Sequence, residues 1–98
     1  MGRTRIEWDP RKAKANQSKH GVSFEEASTV FYDDDALFMR ESEDCDGEDR
    51  YVLLGLSSRL RALVVCHCYR DSEGVIRIIS ARKANRSESR DYERRRAR

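Results

Sequence analysis

Residues 60–82 read LRALVVCHCYRDSEGVIRIISAR: two apolar runs, Ala62 to Tyr69 and Val75 to Ala81, joined by the turn Asp71-Ser72-Glu73-Gly74. Runs of this length bounded by turn residues predict β-strands, and so short a connection favours antiparallel neighbours. Toward the N-terminus, Arg50 to Leu56 and Ala36 to Arg40 predict two further strands, the first separated from Ala62 by a Ser57-Ser58-Arg59 turn and the second from Arg50 by an acidic loop. Farther out, Arg5-Ile6-Glu7-Trp8 alternates as a short strand, and Asp9-Pro10 supplies an N-cap and a first-turn proline. A mostly polar helix follows to His20, with Gly21 as its stop.

Ser23 and Glu26 have the spacing of a capping box, with Val22 able to staple onto Ala27. Phe24, Ala27, Val30 and Phe31 then recur at helical spacing, so the second helix has a core face and ends near Asp33-Asp34-Asp35. At the other end, Asn85 and Glu88 form a second capping box that opens a final helix with only Tyr92 and Ala97 to bury. The order βααββββα predicts an α+β fold, a curved antiparallel sheet with helices packed on one face and the other face free to be a site. The 98 residues suit one domain, 1–98, with a modest core.

Charged residues make up 39% of the chain and hydrophobic residues 38%. No apolar stretch approaches the roughly 20 residues needed to span a bilayer, and the N-terminus lacks the apolar core of a signal peptide, so a cytoplasmic location is expected. Three cysteines, Cys45, Cys66 and Cys68, are an odd set for a disulfide framework, and no second ligand pair suits a metal. Neither a metal nor another cofactor is expected. The net charge of +2 conceals an asymmetry: residues 33–49 carry nine acidic side chains and one basic, whereas residues 82–98 carry eight basic and three acidic. One end should repel nucleic acid and the other attract it.

Strand alternation assigns the side chains of the last two strands. Leu63, Val65, His67 and Tyr69 share one face, and Val64, Cys66 and Cys68 the other. On the next strand, Val75, Arg77, Ile79 and Ala81 fall on one face, and Ile76, Ile78, Ser80 and Arg82 on the other. An arginine between two isoleucines invites explanation. Arg77, with Arg70 and Arg82 near the strand ends, can form a guanidinium cluster matched to phosphate, with His67 as acid or base. Such a set suits metal-free RNA cleavage, in which a base takes the ribose 2′-hydroxyl proton and arginines stabilise charge on the phosphate. His67, Arg70, Arg77 and Arg82 are therefore the catalytic candidates, and Lys19, His20, Lys83 and Arg86 the RNA-binding candidates. The plainer reading leaves Arg77 and His67 on a solvent-facing sheet, Lys19 and His20 as cations favoured by a helix C-terminus, and Trp8 as a core anchor.

Three segments together resemble one family: EWDP.KA..N..KHGVSFEEA..VF from Glu7 to Phe31, GEDRYVLLGLS from Gly47 to Ser57, and IRIISARKA from Ile76 to Ala84, followed by Glu88, Arg90, Tyr92 and Glu93. The resemblance is to the BrnT toxins of bacterial type II toxin–antitoxin systems and spans nearly the whole chain. It implies a RelE-like ribonuclease fold and an endoribonuclease that cleaves RNA and inhibits translation. It also implies a BrnA-like antitoxin with a ribbon-helix-helix DNA-binding part, which would bring the complex to operator DNA. The alternative is a non-catalytic basic module that pairs with an antitoxin and contributes to operon autoregulation. Asp35, where a proline-containing turn is more usual, and the Cys-His-Cys around His67 depart from the family pattern.

Overall fold

The structure, a computed structural model, describes residues 5–45, 48–70 and 74–97, with the side chains of residues 40–49 and 70 outside the description. Helix boundaries follow the capping chemistry. In α1 (Pro10–His20), the Asp9 carboxylate accepts from the Arg11 amide, Pro10 occupies the first turn, and Gly21 closes the helix at φ 71°. In α2 (Phe24–Thr29), the Ser23 hydroxyl accepts from the Glu26 amide at 3.0 Å. Glu26 does not reach back to complete the box. Instead its carboxylate accepts from Ser57 Oγ and from the Arg61 guanidinium, a half-exposed arginine over a buried acid. A 3-10 turn (Val30–Tyr32) continues α2, and the full Asn85–Glu88 box opens α3 (Arg86–Arg96).

The strands are β1 (Arg5–Glu7), β2 (Leu37–Cys45), β3 (Glu48–Leu56), β4 (Ala62–Arg70) and β5 (Val75–Lys83). They form one sheet in the order β1-β5-β4-β3-β2. The fold is α+β as expected, but two details differ. The sheet is mixed, because β1 runs parallel to β5 while every other pairing is antiparallel. A parallel partner needs a long crossover, which the rest of the chain between β1 and β5 supplies. The helices also take both faces. On one face, Val22, Phe24, Ala27 and Val30 pack against Leu53, Leu63, Val65, Ile78 and Ala81. On the other, Tyr92 of α3 packs with Leu54 and Val64. Strand alternation explains this division: Leu53 and Leu54 are neighbours in sequence and necessarily face opposite layers. Ala97, expected inside, is exposed. The expected acidic loop is mostly strand, since Asp44 pairs with Asp49 and Cys45 with Glu48.

A β-bulge in the β4–β5 ladder decides the site. Cys66 pairs with Ser80 but His67 pairs with Ile78, leaving Ile79 as an extra residue on β5. An inserted residue shifts the alternation of the strand beyond it by one. Directly opposed residues share a face, so the pairs Val64–Arg82, Cys66–Ser80 and Cys68–Arg77 put Arg82, Ser80 and Arg77 on the same side of the sheet. Uninterrupted alternation had placed Arg77 opposite Arg82.

Gly55 lies where β3 passes beneath the 3-10 turn. A Cβ there would sit 2.8 Å from Val30 Cγ1 and 3.1 Å from both Ala36 Cβ and Asp33 Oδ2. Asp33 Oδ2 also accepts from the Leu56 amide and the Tyr92 hydroxyl, so the crowded atoms belong to a junction of three elements with little room to yield. Gly55→Ala is expected to destabilise by about 1–3 kcal/mol through overpacking, measurable as a lowered urea midpoint at unchanged slope.

Candidate nucleic-acid interface

The α3-side face of the sheet carries an open cleft of about 410 Å³ lined by Met39, Arg50, Val52, Val64, Cys66, Ser80, Arg82 and Glu88. Its floor consists of neighbouring rungs of three strands: Val52–Cys66–Ser80 form one row, and Leu54–Val64–Arg82 the next. Helix α3 rises beside it because Tyr92 is drawn into the small apolar cluster with Leu54 and Val64. The Tyr92 hydroxyl donates to Asp33 Oδ2 at 2.7 Å, which satisfies its polar end. Burial first, and then the bond to Asp33, hold the Tyr92 hydroxyl well above the usual phenol range, so it remains protonated.

Within the cleft, the Arg82 guanidinium grips Glu88 with a two-pronged pair, Nη1 to Oε1 and Nη2 to Oε2, both 2.8 Å. Glu88 Oε1 also accepts from the Asn85 amide at 2.8 Å. The capping box and the ion pair therefore share one carboxylate, which ties the start of α3 to the end of β5. The hydrogen bond from Arg82 holds the Glu88 carboxyl below its ordinary range despite partial burial, so it is ionised near neutrality. Arg77 lies farther along the same face and makes a longer pair with Glu7 of β1, 3.3 Å from Nη1 to Oε2. Arg50 and Arg77 flank Cys68 on its two neighbouring strands, so a lateral row Arg50–Cys68–Arg77 crosses the sheet.

The expected catalytic residues do not all converge. Arg77 and Arg82 share the face, joined by Arg50. Arg70 pairs with Val75 at the strand ends, but its side chain lies outside the described residues. His67 is on the opposite face and wholly buried. Its imidazole lies 4.8 Å, centroid to centroid, from Phe31 and within 6.1 Å of Phe38, Tyr51 and Tyr69. Burial pushes its pKa down to about 4, a neutral ring at physiological pH. A general base must come within hydrogen-bond reach of the proton it takes, and a ring enclosed by aromatic side chains has no such access in this conformation.

The expected RNA-binding residues also divide. Lys19 and His20 end α1, which is fixed to the opposite face because Asn16 exchanges hydrogen bonds with the Ala81 backbone. Lys83 is opposite Leu63 in register and belongs to that face too, whereas Arg86 is exposed in the first turn of α3 near the cleft. Arg50, Cys66, Ser80 and Glu88 were not expected in a site. Arg50-x-Val52-x-Leu54 alternates on a single strand face, but only pairing with Cys68, Cys66 and Val64 reveals that this is the face bearing Arg82. Among the described residues, no three histidine, cysteine or carboxylate side chains gather as a metal-ligand set, and no helix is long and apolar enough to cross a membrane.

The fold is shared with a crystal structure of the Brucella abortus ribonuclease toxin BrnT. The two align with a TM-score of 0.63 at 22% identity, over 86% of this chain and all of that one. No curated protein matches the sequence. The family model described as the ribonuclease toxin BrnT of type II toxin–antitoxin systems matches residues 8–88, which take in both helices of the first layer, the whole sheet after β1, and the start of α3 as far as Glu88. The chain thus belongs to the BrnT family of type II toxin–antitoxin ribonuclease toxins.

Proposed function

We propose that this protein is an endoribonuclease that binds RNA along the α3-side face of its sheet, cleaves it by attack of the ribose 2′-hydroxyl, and so inhibits translation. The observation that carries this reading is the bulge at Ile79, which gathers Arg77 and Arg82 with Arg50 on one open face. Arginine suits this task because its planar fork matches phosphate oxygens and stays charged throughout the reaction. As the 2′-oxygen bonds to phosphorus and the 5′-oxygen leaves, negative charge grows on the phosphate, and preorganised guanidinium groups stabilise that charge more than the ground state. Water takes the 2′-hydroxyl proton and returns one to the leaving 5′-oxygen, because both Glu88 oxygens already accept from Arg82 and that bond holds the carboxyl below its ordinary range. The immediate products are a 2′,3′-cyclic phosphate and a free 5′-hydroxyl. His67 takes a packing role.

A second reading is favoured by the two ion pairs, since Glu7 and Glu88 already engage Arg77 and Arg82. In that reading the face is a basic module covered by a BrnA-like antitoxin, whose ribbon-helix-helix part takes the complex to operator DNA without any cleavage by this chain. Induced expression separates them. With wild type and Arg77→Ala at matched soluble levels, growth arrest and new RNA ends by primer extension are expected for wild type and strongly reduced for the variant. Unimpaired growth with intact RNA under wild-type expression would support the binding module instead.

A further inference from the structure

A chain of contacts joins helix α3 to the cleft and ends on one guanidinium. Glu88 and Tyr92 are one turn apart and share a face of α3. Tyr92 is buried and fixes that face to Asp33, its hydroxyl donating to Oδ2 at 2.7 Å. Glu88 is held from within the helix start, because its amide donates to Asn85 Oδ1 and its Oε1 accepts from the Asn85 amide, both at 2.8 Å. The same carboxylate takes Nη1 and Nη2 of Arg82 at 2.8 Å each, and the Lys83 carbonyl accepts from Nη1 at 3.3 Å. Arg77, by contrast, meets Glu7 through Nη1 at 3.3 Å, a looser contact.

Glu88 therefore grips the end of the Arg82 fork. Among the described residues, the hydrogen bonds of Arg82 all use Nη1 and Nη2, which leaves the Nε–Nη2 edge to donate to two oxygens of a phosphate. The side chain remains 43% exposed in the cleft, so that edge is open to a ligand. A long arginine side chain gives up rotamer freedom when it binds, unless it is already held in place. We propose that Glu88 is a positioning residue for RNA cleavage: it holds Arg82 by the end of its fork so that the side of the fork meets the reacting phosphate. The start of α3 then serves the chemistry as well as the core. This inference rests on the reading that Arg82 stabilises charge on that phosphate, and Glu88 itself neither touches RNA nor exchanges a proton. Both carboxylate oxygens are needed. Glutamine retains one acceptor, which can still serve the capping box, but its amide nitrogen turns a donor toward the guanidinium.

The test uses the full-length protein in excess over an end-labelled, random-sequence RNA pool for single-turnover rates. The same pool with 2′-O-methyl groups, which lacks the nucleophile, gives affinity. Glu88→Gln is expected to slow cleavage about 10- to 100-fold through misplacement of Arg82, with affinity for the methylated pool little changed because the arginine keeps its charge. Glu88→Asp keeps the carboxylate but shortens its reach, and should also slow cleavage, so the test does not depend on one variant folding well. Asn85→Ala removes the cap and leaves the Arg82–Glu88 pair, and should lower Tm with little change in rate. In an Arg82→Ala background, Glu88→Gln should add no more than about a twofold loss, because it acts through Arg82. An unchanged rate in both Glu88 variants overturns the inference, as does an equal loss with and without Arg82, or a loss in Asn85→Ala as large as in Glu88→Gln. If Arg82→Ala slows cleavage and the Glu88 variants do not, positioning fails alone. If wild type cuts no RNA, or Arg82→Ala cuts as fast as wild type, the ribonuclease reading of this face fails and the inference falls with it.

Discussion

Arg82→Ala is expected to lower the single-turnover rate of RNA cleavage by about 10²–10³, the usual cost of removing one preorganised charge-stabilising donor from an active site. Arg82 lines the cleft with Ser80 and Cys66 and is fixed by its grip on Glu88. The same pair braces the start of α3, so the variant also loses some structural support. The exposed geometry of the pair limits this loss to about 1 kcal/mol or less. A thermal melt run beside the kinetics separates the two effects: a small drop in Tm with a large drop in rate places Arg82 at the reacting phosphate. Arg82→Lys retains the charge and loses the planar fork, and should fall between wild type and alanine. A rate unchanged in both variants at matched folded protein would remove Arg82 from the site.

His67→Phe is expected to remove most of the acid sensitivity of folding while leaving RNA cleavage intact. Burial lowers the folded-state pKa of His67 to about 4 from an ordinary 6.5. Between those values the unfolded chain binds more protons than the folded one, so stability rises with pH. The contribution is fully present above about pH 6.5, is lost as pH falls toward 4, and amounts to about 3 kcal/mol over that window. Phenylalanine keeps an aromatic ring among Phe31, Phe38, Tyr51 and Tyr69 but has no proton to gain. Urea titrations from pH 7 to pH 4 should show a steep fall in midpoint for wild type and a shallower one for the variant. Loss of cleavage in a fully folded His67→Phe protein would return the imidazole to the catalytic set, and would require the aromatic enclosure to open during turnover.

Local chemistry made much of this protein legible in its sequence. Asp9-Pro10, Ser23 and the Asn85–Glu88 box mark helix starts because each satisfies backbone donors a few residues away. The strand runs from Arg50 to Ala81 likewise announce themselves, and the segments shared with the family lie on these elements. What alternation could not reveal was the extra residue at Ile79, because nothing in Val75-Ile76-Arg77-Ile78-Ile79-Ser80 marks which isoleucine is unpaired. Only the ladder to β4 shows it. That single insertion moved Arg77 to the side of Arg82. The enclosure of His67 was not legible for a related reason, since its strand position fixes which face it occupies but not whether Phe31 and Phe38 close over it.

Local chemistry specified most of the elements, their order, the α+β class and the family, which depend on contacts within a few residues or on matched segments of chain, but not the pairing of the acidic stretch as strand. The tertiary structure alone decided that β1 lies parallel to β5, that α3 crosses to the second face, and that the arginines gather there while the histidine is sealed away. Those outcomes depend on pairing between residues far apart in the chain, where one inserted residue reverses a side chain's face and no local preference records the choice.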